Sequence, residues 1–520
     1  MNREHMLSRI RDATEPWDFI VIGGGATGVG VAVDAASRGY RTLLLEQSDL
    51  GKGTSSRSTK LVHGGVRYLQ QGNIPLVMEA LRERGRLRRN APHLVSDQAF
   101  VVPNYSWWEA PFYGIGMKVY DALAGKYGFG SSHNLSREET IQRLPTIETE
   151  GLRGGVVYHD GQFDDARLLV DLAQTAADQG AAVLNYVRVT GLEKNGEGFV
   201  TGVTARDAET GESLRTSGRV VVNATGVFTD QVRRMDDPEA APMIRPSQGV
   251  HLVLDRHFLG GDSAIMVPHT DDGRVLFAIP WHRVVVVGTT DTPVEETPLE
   301  PMPLDEEVSY LISHAARYLT EDPEPADVLS CFAGLRPLVA TGDSPDTASL
   351  SRDHTLHVSG SGLVTITGGK WTTYRKMAED TVDHGIVLGE LEPRDCITKE
   401  LNIHGFHTHP GRFGDLAAYG SDAPEVEALL SSDPDLGKPL HPRLPLRAGE
   451  VVWAVRREMA RTVDDVLARR SRSLILDARA AAEIAETVAR LLARELDRDG
   501  DWTRQQTLDF RELASGYVLE

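Results

Sequence analysis

The sequence predicts an α/β fold in three parts: a doubly wound domain of parallel strands and helices, a domain of antiparallel strands, and an all-helical C-terminal domain. Three observations predict it. The turn Gly23-Gly-Gly-Ala-Thr-Gly28 joins the apolar run 18–22 to a helical pattern over 26–38, and a second run, 42–45, ends on Glu46. Between 246 and 336 the pattern changes to β-type runs (Val250-His-Leu-Val-Leu254, Val275-Leu-Phe-Ala-Ile279, Val284–Val287) with one helix near 305–318. Beyond a Pro-, Gly- and His-rich linker at 403–413, residues 414–520 are mostly of helical pattern.

The first strand delivers the chain into a turn that only glycine makes at Gly23. Gly25, without a side chain, lets a pyrophosphate touch the backbone, and Gly28 lets the helix pack closely on the strand. The phosphates are expected on the helix N-terminus at Ala26 and Thr27. Glu46 stands 21 residues after Gly25, followed by Gln47, where a carboxylate can accept hydrogen bonds from a ribose diol. Strand, turn, helix and acid in this spacing define a dinucleotide site, whereas the glycines alone would define only a turn. A helix over 166–177, a strand over 182–186 and a meander through 199–224 continue the domain, with Val187, just after the strand, a further cofactor contact. Val221-Val-Asn-Ala-Thr-Gly226 fits its last parallel strand, with Ala224 and Gly226 small enough to pass beneath the dinucleotide.

Residues 53–69 are small, hydroxylic and basic, with almost no periodicity, which predicts a loop. An NAD-specific domain would proceed from its acidic strand into another helix–strand unit. Here an extended polar segment suits a longer ligand, its Ser, Thr and Gly amides fitting a pyrophosphate and a flavin edge. This favours FAD, bound noncovalently, at Thr54, Ser55, Ser56, Thr59, Lys60, Leu61, His63 and Gly65. An exposed serine-rich loop is the alternative.

The run Thr54-Ser-Ser-Arg-Ser-Thr-Lys60-Leu-Val-His63-Gly-Gly65-Val-Arg67-Tyr68-Leu resembles the flavin-contacting segment of FAD-dependent glycerol-3-phosphate dehydrogenases. So do Phe163-Asp-Asp-Ala-Arg-Leu168, Val222-Asn-Ala-Thr-Gly226, Val287-Gly-Thr-Thr-Asp291, Gly334-Leu-Arg-Pro337, Ser351-Arg-Asp-His-Thr355 and Gly368-Gly-Lys-Trp-Thr-Thr-Tyr-Arg375. Each is common alone; the ordered set, spanning about 18–385, is specific. The resemblance implies a glutathione-reductase-like FAD domain built from 18–80, 150–235 and 345–390. It also implies a substrate domain with an aromatic-rich insertion from 81–149 and 236–344, and a helical domain at 403–520.

The resemblance further implies oxidation of sn-glycerol 3-phosphate to dihydroxyacetone phosphate, with a membrane quinone as acceptor. Guanidinium forks and a lysine hold a phosphate best, and Arg67, Arg336, Arg352 and Lys370 fall in these motifs, with Tyr68 as a neutral donor. Loss of the C2 hydroxyl proton needs a base that titrates near neutrality. His251 is the first candidate and His63 the second, the alternatives being a satisfied strand histidine and a brace for the flavin. Lys370 and the amides from Gly369 through Thr372 and Thr373, at the start of a helix over 371–383, suit the charge gained at the flavin on reduction.

Composition agrees with a multidomain intracellular enzyme: 520 residues, 41% apolar, two cysteines (Cys331 and Cys396) in no metal or redox spacing, and no metal site. The start has no signal-peptide core and no stretch approaches 18 uncharged apolar residues. A net charge of −20, from 55 basic and 75 acidic side chains, disfavours nucleic acid and repels an anionic membrane unless basic residues cluster. They do cluster, at 82–89 and at 443–472; ion-paired helix faces are the alternative. Residues 105–129 hold eight of the 33 aromatics, a density that suits peripheral contact with lipid on the cytoplasmic side of the cell membrane. A packing element or homodimer contact would use the same residues. Two other functions remain open on the sequence: a glycerol-3-phosphate oxidase that uses O2, and a non-catalytic flavin-binding sensor.

Overall fold

The computed structural model describes residues 1–66, 69, 72–107, 109–268, 270, 274–340 and 354–519. Arg67, Tyr68 and Arg352, singled out above, and Trp108 of the aromatic-rich stretch 105–129 lie outside the described residues.

The strand Trp17–Ile22 is central to a sheet of eight strands. It pairs in parallel with Thr42–Leu45 on one side and Ser213–Asn223 on the other, with Ala182–Leu184 and Val364–Gly368 flanking these. Such a strand is buried on both faces, so its apolar run is continuous. Phe19 and Val21 face the helices Ala26–Ser37, Asp165–Asp178 and Tyr374–Leu388, whereas Ile20 and Ile22 face the N-terminal helix Arg3–Arg11 and the meander.

The second sheet has ten strands, nearly all antiparallel. It includes Leu61–Val62, Val95–Asn104 and Gly154–Phe163 besides the strands of 244–339. Residues 61–62 and 154–163 therefore belong to this sheet, not to the dinucleotide domain where the sequence placed them. The run 154–163, Gly-Gly-Val-Val-Tyr-His-Asp-Gly-Gln-Phe, shows no clean two-residue alternation and gives no sign of which sheet it joins.

Strand alternation then sets the faces of the second sheet. Val253, Val286 and Trp281 pack under the C-terminal helices. His251 lies two residues before Val253, hence on the same face, and pairs across the ladder with Gly288. The C-terminal domain covers one end of this face and leaves the His251 end to a cavity. That domain is helical as expected, its longest helices being Ala478–Leu496 and Gly500–Ser515. His404 in the linker bridges Asp178 (2.7 Å) and Asp422 (2.9 Å). Burial opposes its charge, but the two carboxylates outweigh it and push the imidazole up to about 10.

A Cβ on Gly28 would stand 2.0 Å from the carbonyl oxygen of Gly23, whereas one on Gly25 would meet only Ser55 Oγ, at 3.1 Å. Gly28→Ala is therefore expected to lower the melting temperature and flavin content together. Gly25→Val should give a folded protein with little flavin; melting curves and flavin content per chain check both.

Candidate functional site

Two cavities meet between the sheets. A groove of about 210 Å³ runs along Gly23, Gly25, Ala26, Thr27, Glu46 and Gln47, past Thr54 and Ser55, to Ala224 and Gly226. A cavity of about 330 Å³ is lined by Thr59, Leu61, His63, Gly65, His251, Arg336 and Thr372. Thr54, Pro337 and Gly368–Trp371 line both, so the two are continuous. Lys370 stands at this junction.

The groove fits a dinucleotide. Gly25 leaves its backbone open, and Glu46 is fixed by the amides of Gly24 (2.6 Å) and Ser48 (2.8 Å) with lone pairs left for a diol. Burial pushes the Glu46 carboxyl above its usual range against the pull of those amides. One detail differs from the sequence reading: the Ala26 amide donates to Ser55 Oγ at 2.9 Å, so the serine loop already caps the helix start assigned to phosphate. At the junction, Gly368 and Gly369 are both left-handed (φ +74° and +67°), which brings the backbone to the cavity edge before the turn Trp371–Thr373 and the helix that starts at Tyr374. That helix begins three residues later than expected.

Several predicted cofactor contacts line neither cavity. Lys60 is fully buried; its ammonium bonds both oxygens of Asp165 (2.8 and 2.9 Å) and the Ser56 carbonyl (2.8 Å). Ser56 Oγ donates to Gly51 O, and Thr373 Oγ1 to Lys370 O, both tightening turns. Val187 is buried with its amide on Glu46 O, while its neighbours Arg188 and Val189 line the groove. Gly28 acts through packing alone.

His251 is 2% exposed, stacks on Phe332 (centroids 4.8 Å apart, 14° between planes), and places Nε2 2.9 Å from Thr59 Oγ1. Nδ1 is buried with no hydrogen-bond partner among the described residues. Burial first, then the charges of Arg336 and Lys60, push its pKa well below the ordinary histidine value, so the ring is neutral at physiological pH. Arg336 is held by Asp291 (3.1 Å), Thr289 Oγ1 (3.1 Å) and the Thr290 carbonyl (2.9 Å). These bonds fix the orientation of the guanidinium at the cavity wall. His63 donates its amide to Thr372 Oγ1 at 3.2 Å, tying two cavity walls together.

Several lining residues escaped the sequence reading, among them Arg274, Arg57 and Trp371. Arg274 sits in Asp-Gly-Arg before an apolar strand, which signals only a turn. Arg57 lies inside the 54–60 motif, and Trp371, which lines both cavities and donates to Ser55 O at 2.8 Å, inside 368–375. Their motifs were legible; which side chains face inward was not.

A strand–glycine turn–helix groove opening on a cationic cavity defines a flavin-dependent oxidoreductase, and comparison with known proteins agrees. A model of the FAD-dependent oxidoreductases matches residues 18–375, and one of the C-terminal domain of alpha-glycerophosphate oxidase matches 364–506. The mitochondrial glycerol-3-phosphate dehydrogenase of Macaca fascicularis is 40% identical over 542 residues, 98% of this chain and 74% of that protein. That of Arabidopsis thaliana is 40% identical over 548 residues, 97% of this chain and 87% of its own length. The crystal structure of glycerol-3-phosphate dehydrogenase from Bacillus halodurans complexed with FAD superposes with a TM-score of 0.81 at 28% identity, covering 99% of this chain and 97% of that one. The L-alpha-glycerophosphate oxidase of Mycoplasma pneumoniae shares the fold (TM-score 0.58, 16% identity, 75% of this chain and 98% of that one). The chain belongs to the FAD-dependent glycerol-3-phosphate dehydrogenase family.

If His251 accepts a proton, it must do so in its neutral form, which its lowered pKa preserves well below pH 6.5. The rate of flavin reduction at saturating substrate should stay flat from pH 8 down past 6.5 and fall only in more acid solution. His251→Asn should lower that rate about 100-fold with FAD still bound. Stopped-flow measurement across pH checks both.

Proposed function

We propose that the chain oxidises sn-glycerol 3-phosphate to dihydroxyacetone phosphate and passes the electrons to a membrane quinone. The observation that carries this reading is the convergence of Arg336, Arg274, Lys370 and a neutral His251 on one cavity that opens into the dinucleotide groove. In a chain of net charge −20, cations gathered in a cleft select for an anion. FAD, when bound, supplies the hydride acceptor. The chain's residues do the rest. Arg336, with Arg67, Tyr68 and Arg352 joining from the sequence, grips the phosphate; His251 takes the hydroxyl proton, with His63 as the second candidate. Lys370 and the helix start at Tyr374 favour the added negative charge.

Arg336→Ala should raise KM strongly, and Arg336→Lys should restore little, because a point charge cannot reproduce an oriented fork. Glycerol itself should be a very poor substrate, since the phosphate supplies the binding energy that positions C2. Steady-state kinetics with a soluble dye tests all three; an unchanged KM in both variants would reject the anion cavity. The match of 364–506 to an oxidase domain favours a second reading with O2 as acceptor. Peroxide release at the rate of substrate oxidation would establish it; quinone reduction without peroxide would exclude it.

Attachment to the inner face of the cell membrane is proposed to be peripheral. No helix among the described residues is long and apolar enough to cross a membrane. The helix Glu109–Ala124 buries Tyr113, Met117 and Tyr120 but exposes Phe112, Ile115 and Val119, and Trp107 just before it is 78% exposed. Tyr113, one of the aromatics of the stretch 105–129 expected to contact lipid, is core, because aromatic density does not tell the two faces of a helix apart. The arginines at 443–472 offer no basic face: every one pairs with a carboxylate, including Arg469 and Arg470 with buried Asp49 and Arg472 with Asp164. Changing Trp107, Phe112, Ile115 and Val119 to serine should therefore release the protein from vesicles and depress quinone reduction. Dye reduction should persist, and raised salt should matter little. Vesicle flotation and paired assays check this; a homodimer contact would instead appear as a change in mass in solution.

A further inference from the structure

Tyr120 lies on the buried face of the helix Glu109–Ala124 and is 1% exposed. Its hydroxyl accepts the amide of Gly64 at 2.8 Å and donates to Asp160 Oδ2 at 2.7 Å. Asp160 lines the larger cavity, and its other oxygen takes Arg84 Nη1 at 2.6 Å. A Cβ on Gly64 would stand 2.4 Å from the Tyr120 hydroxyl and 2.5 Å from Leu81, so the loop is pressed against the ring. From the other side the His63 amide is held by Thr372. The segment His63–Gly65 is thus strung between a helix that takes no direct part in the cavity and the turn Trp371–Thr373 beside it. His63, Gly65 and Thr372 all line the cavity. Burial and Asp160 push the phenol far above its usual pKa, so the hydroxyl keeps its proton and both bonds at any working pH.

We propose that Tyr120 is a positioning residue for the oxidation: its hydroxyl fixes the His63–Gly65 backbone and the Asp160 carboxylate in one geometry against the cavity. A hydroxyl that is at once acceptor for a loop amide and donor to a wall carboxylate sets the distance between them, which neither could hold alone. This rests on the reading of the cavity as the place of oxidation. Reduction of the wild-type flavin by glycerol 3-phosphate tests that reading by itself, and the variants below test the positioning.

The experiment uses Tyr120→Phe holoenzyme normalised to bound flavin. Flavin reduction at saturating substrate should slow about 10-fold, KM should move less than about 2-fold, and the flavin absorption band and midpoint potential should shift. A purely structural role would lower the melting temperature and the flavin content but leave the surviving holoenzyme with wild-type rate, spectrum and potential; that result overturns the proposal. Gly64→Ala drives a methyl against the same hydroxyl with Tyr120 intact. It should reproduce the slow reduction and the spectral shift even where Tyr120→Phe fails to fold, and wild-type kinetics and spectrum in Gly64→Ala would equally overturn it.

Discussion

The buried ion pair of Lys60 and Asp165 is the knot on which the site depends. Both side chains are completely excluded from solvent. Asp165 also accepts the Ser58 amide and hydroxyl and the amide of Ala166, the first turn of the helix Asp165–Asp178. Lys60 lies over the rings of Trp281 (5.1 Å) and Phe332 (5.2 Å), and Phe332 carries His251 on its own stack. One pair therefore joins the serine loop, a helix of the dinucleotide domain and the floor of the second sheet. It holds Lys60 itself in a left-handed conformation (φ 62°), which costs roughly 1–2 kcal/mol for a residue with a side chain. Removing one partner of such a pair leaves a buried charge, a loss of about 3–5 kcal/mol.

A second set of charges locks the C-terminal domain to the same segment. Asp49, three residues after Glu46, is clasped by Arg469 (2.5 Å) and Arg470 (2.6 Å). Burial opposes its charge, but the two guanidiniums outweigh it and hold the carboxyl below its usual range. Lys52 and Arg57, lining the groove and the cavity, meet at Glu300, where Tyr517 near the end of the last helix also donates (3.2 Å). The helical domain is thus a support for both cavities rather than an appendage, and it uses the arginines that the sequence offered to a membrane.

The parts legible in sequence were those where local geometry and chemistry coincide. Gly23, Gly25 and Gly28 announce the turn, Glu46 the strand tip, and the apolar run ending at Asn223 a parallel strand, because each constraint acts within a few residues. Contrary to expectation, that strand is not the last parallel one, because Val364–Gly368 adds in parallel beyond it. His251 was singled out through the resemblance, since a polar residue in a strand of apolar neighbours suits a satisfied core histidine as well, and its stack on Phe332 had no signal in the sequence. What failed required knowing the partner. Lys60 sits among cofactor-type residues, yet its charge belongs to Asp165, 105 positions away. The strand 154–163 joins the second sheet through Val95–Asn104, and no periodicity within it reports that pairing. The arginine cluster at 443–472 could be told from a basic face only by its distant carboxylates.

The central claim is that a sugar phosphate bound over the cavity floor reduces a flavin held in the groove. Anaerobic titration of the flavin-bearing protein with glycerol 3-phosphate, followed at the flavin absorption band, tests it most directly. The band should bleach fully, with dihydroxyacetone phosphate formed in proportion to flavin, and glycerol without phosphate should leave it unchanged. A flavin that stays oxidised under excess glycerol 3-phosphate, yet bleaches with dithionite, would contradict the account.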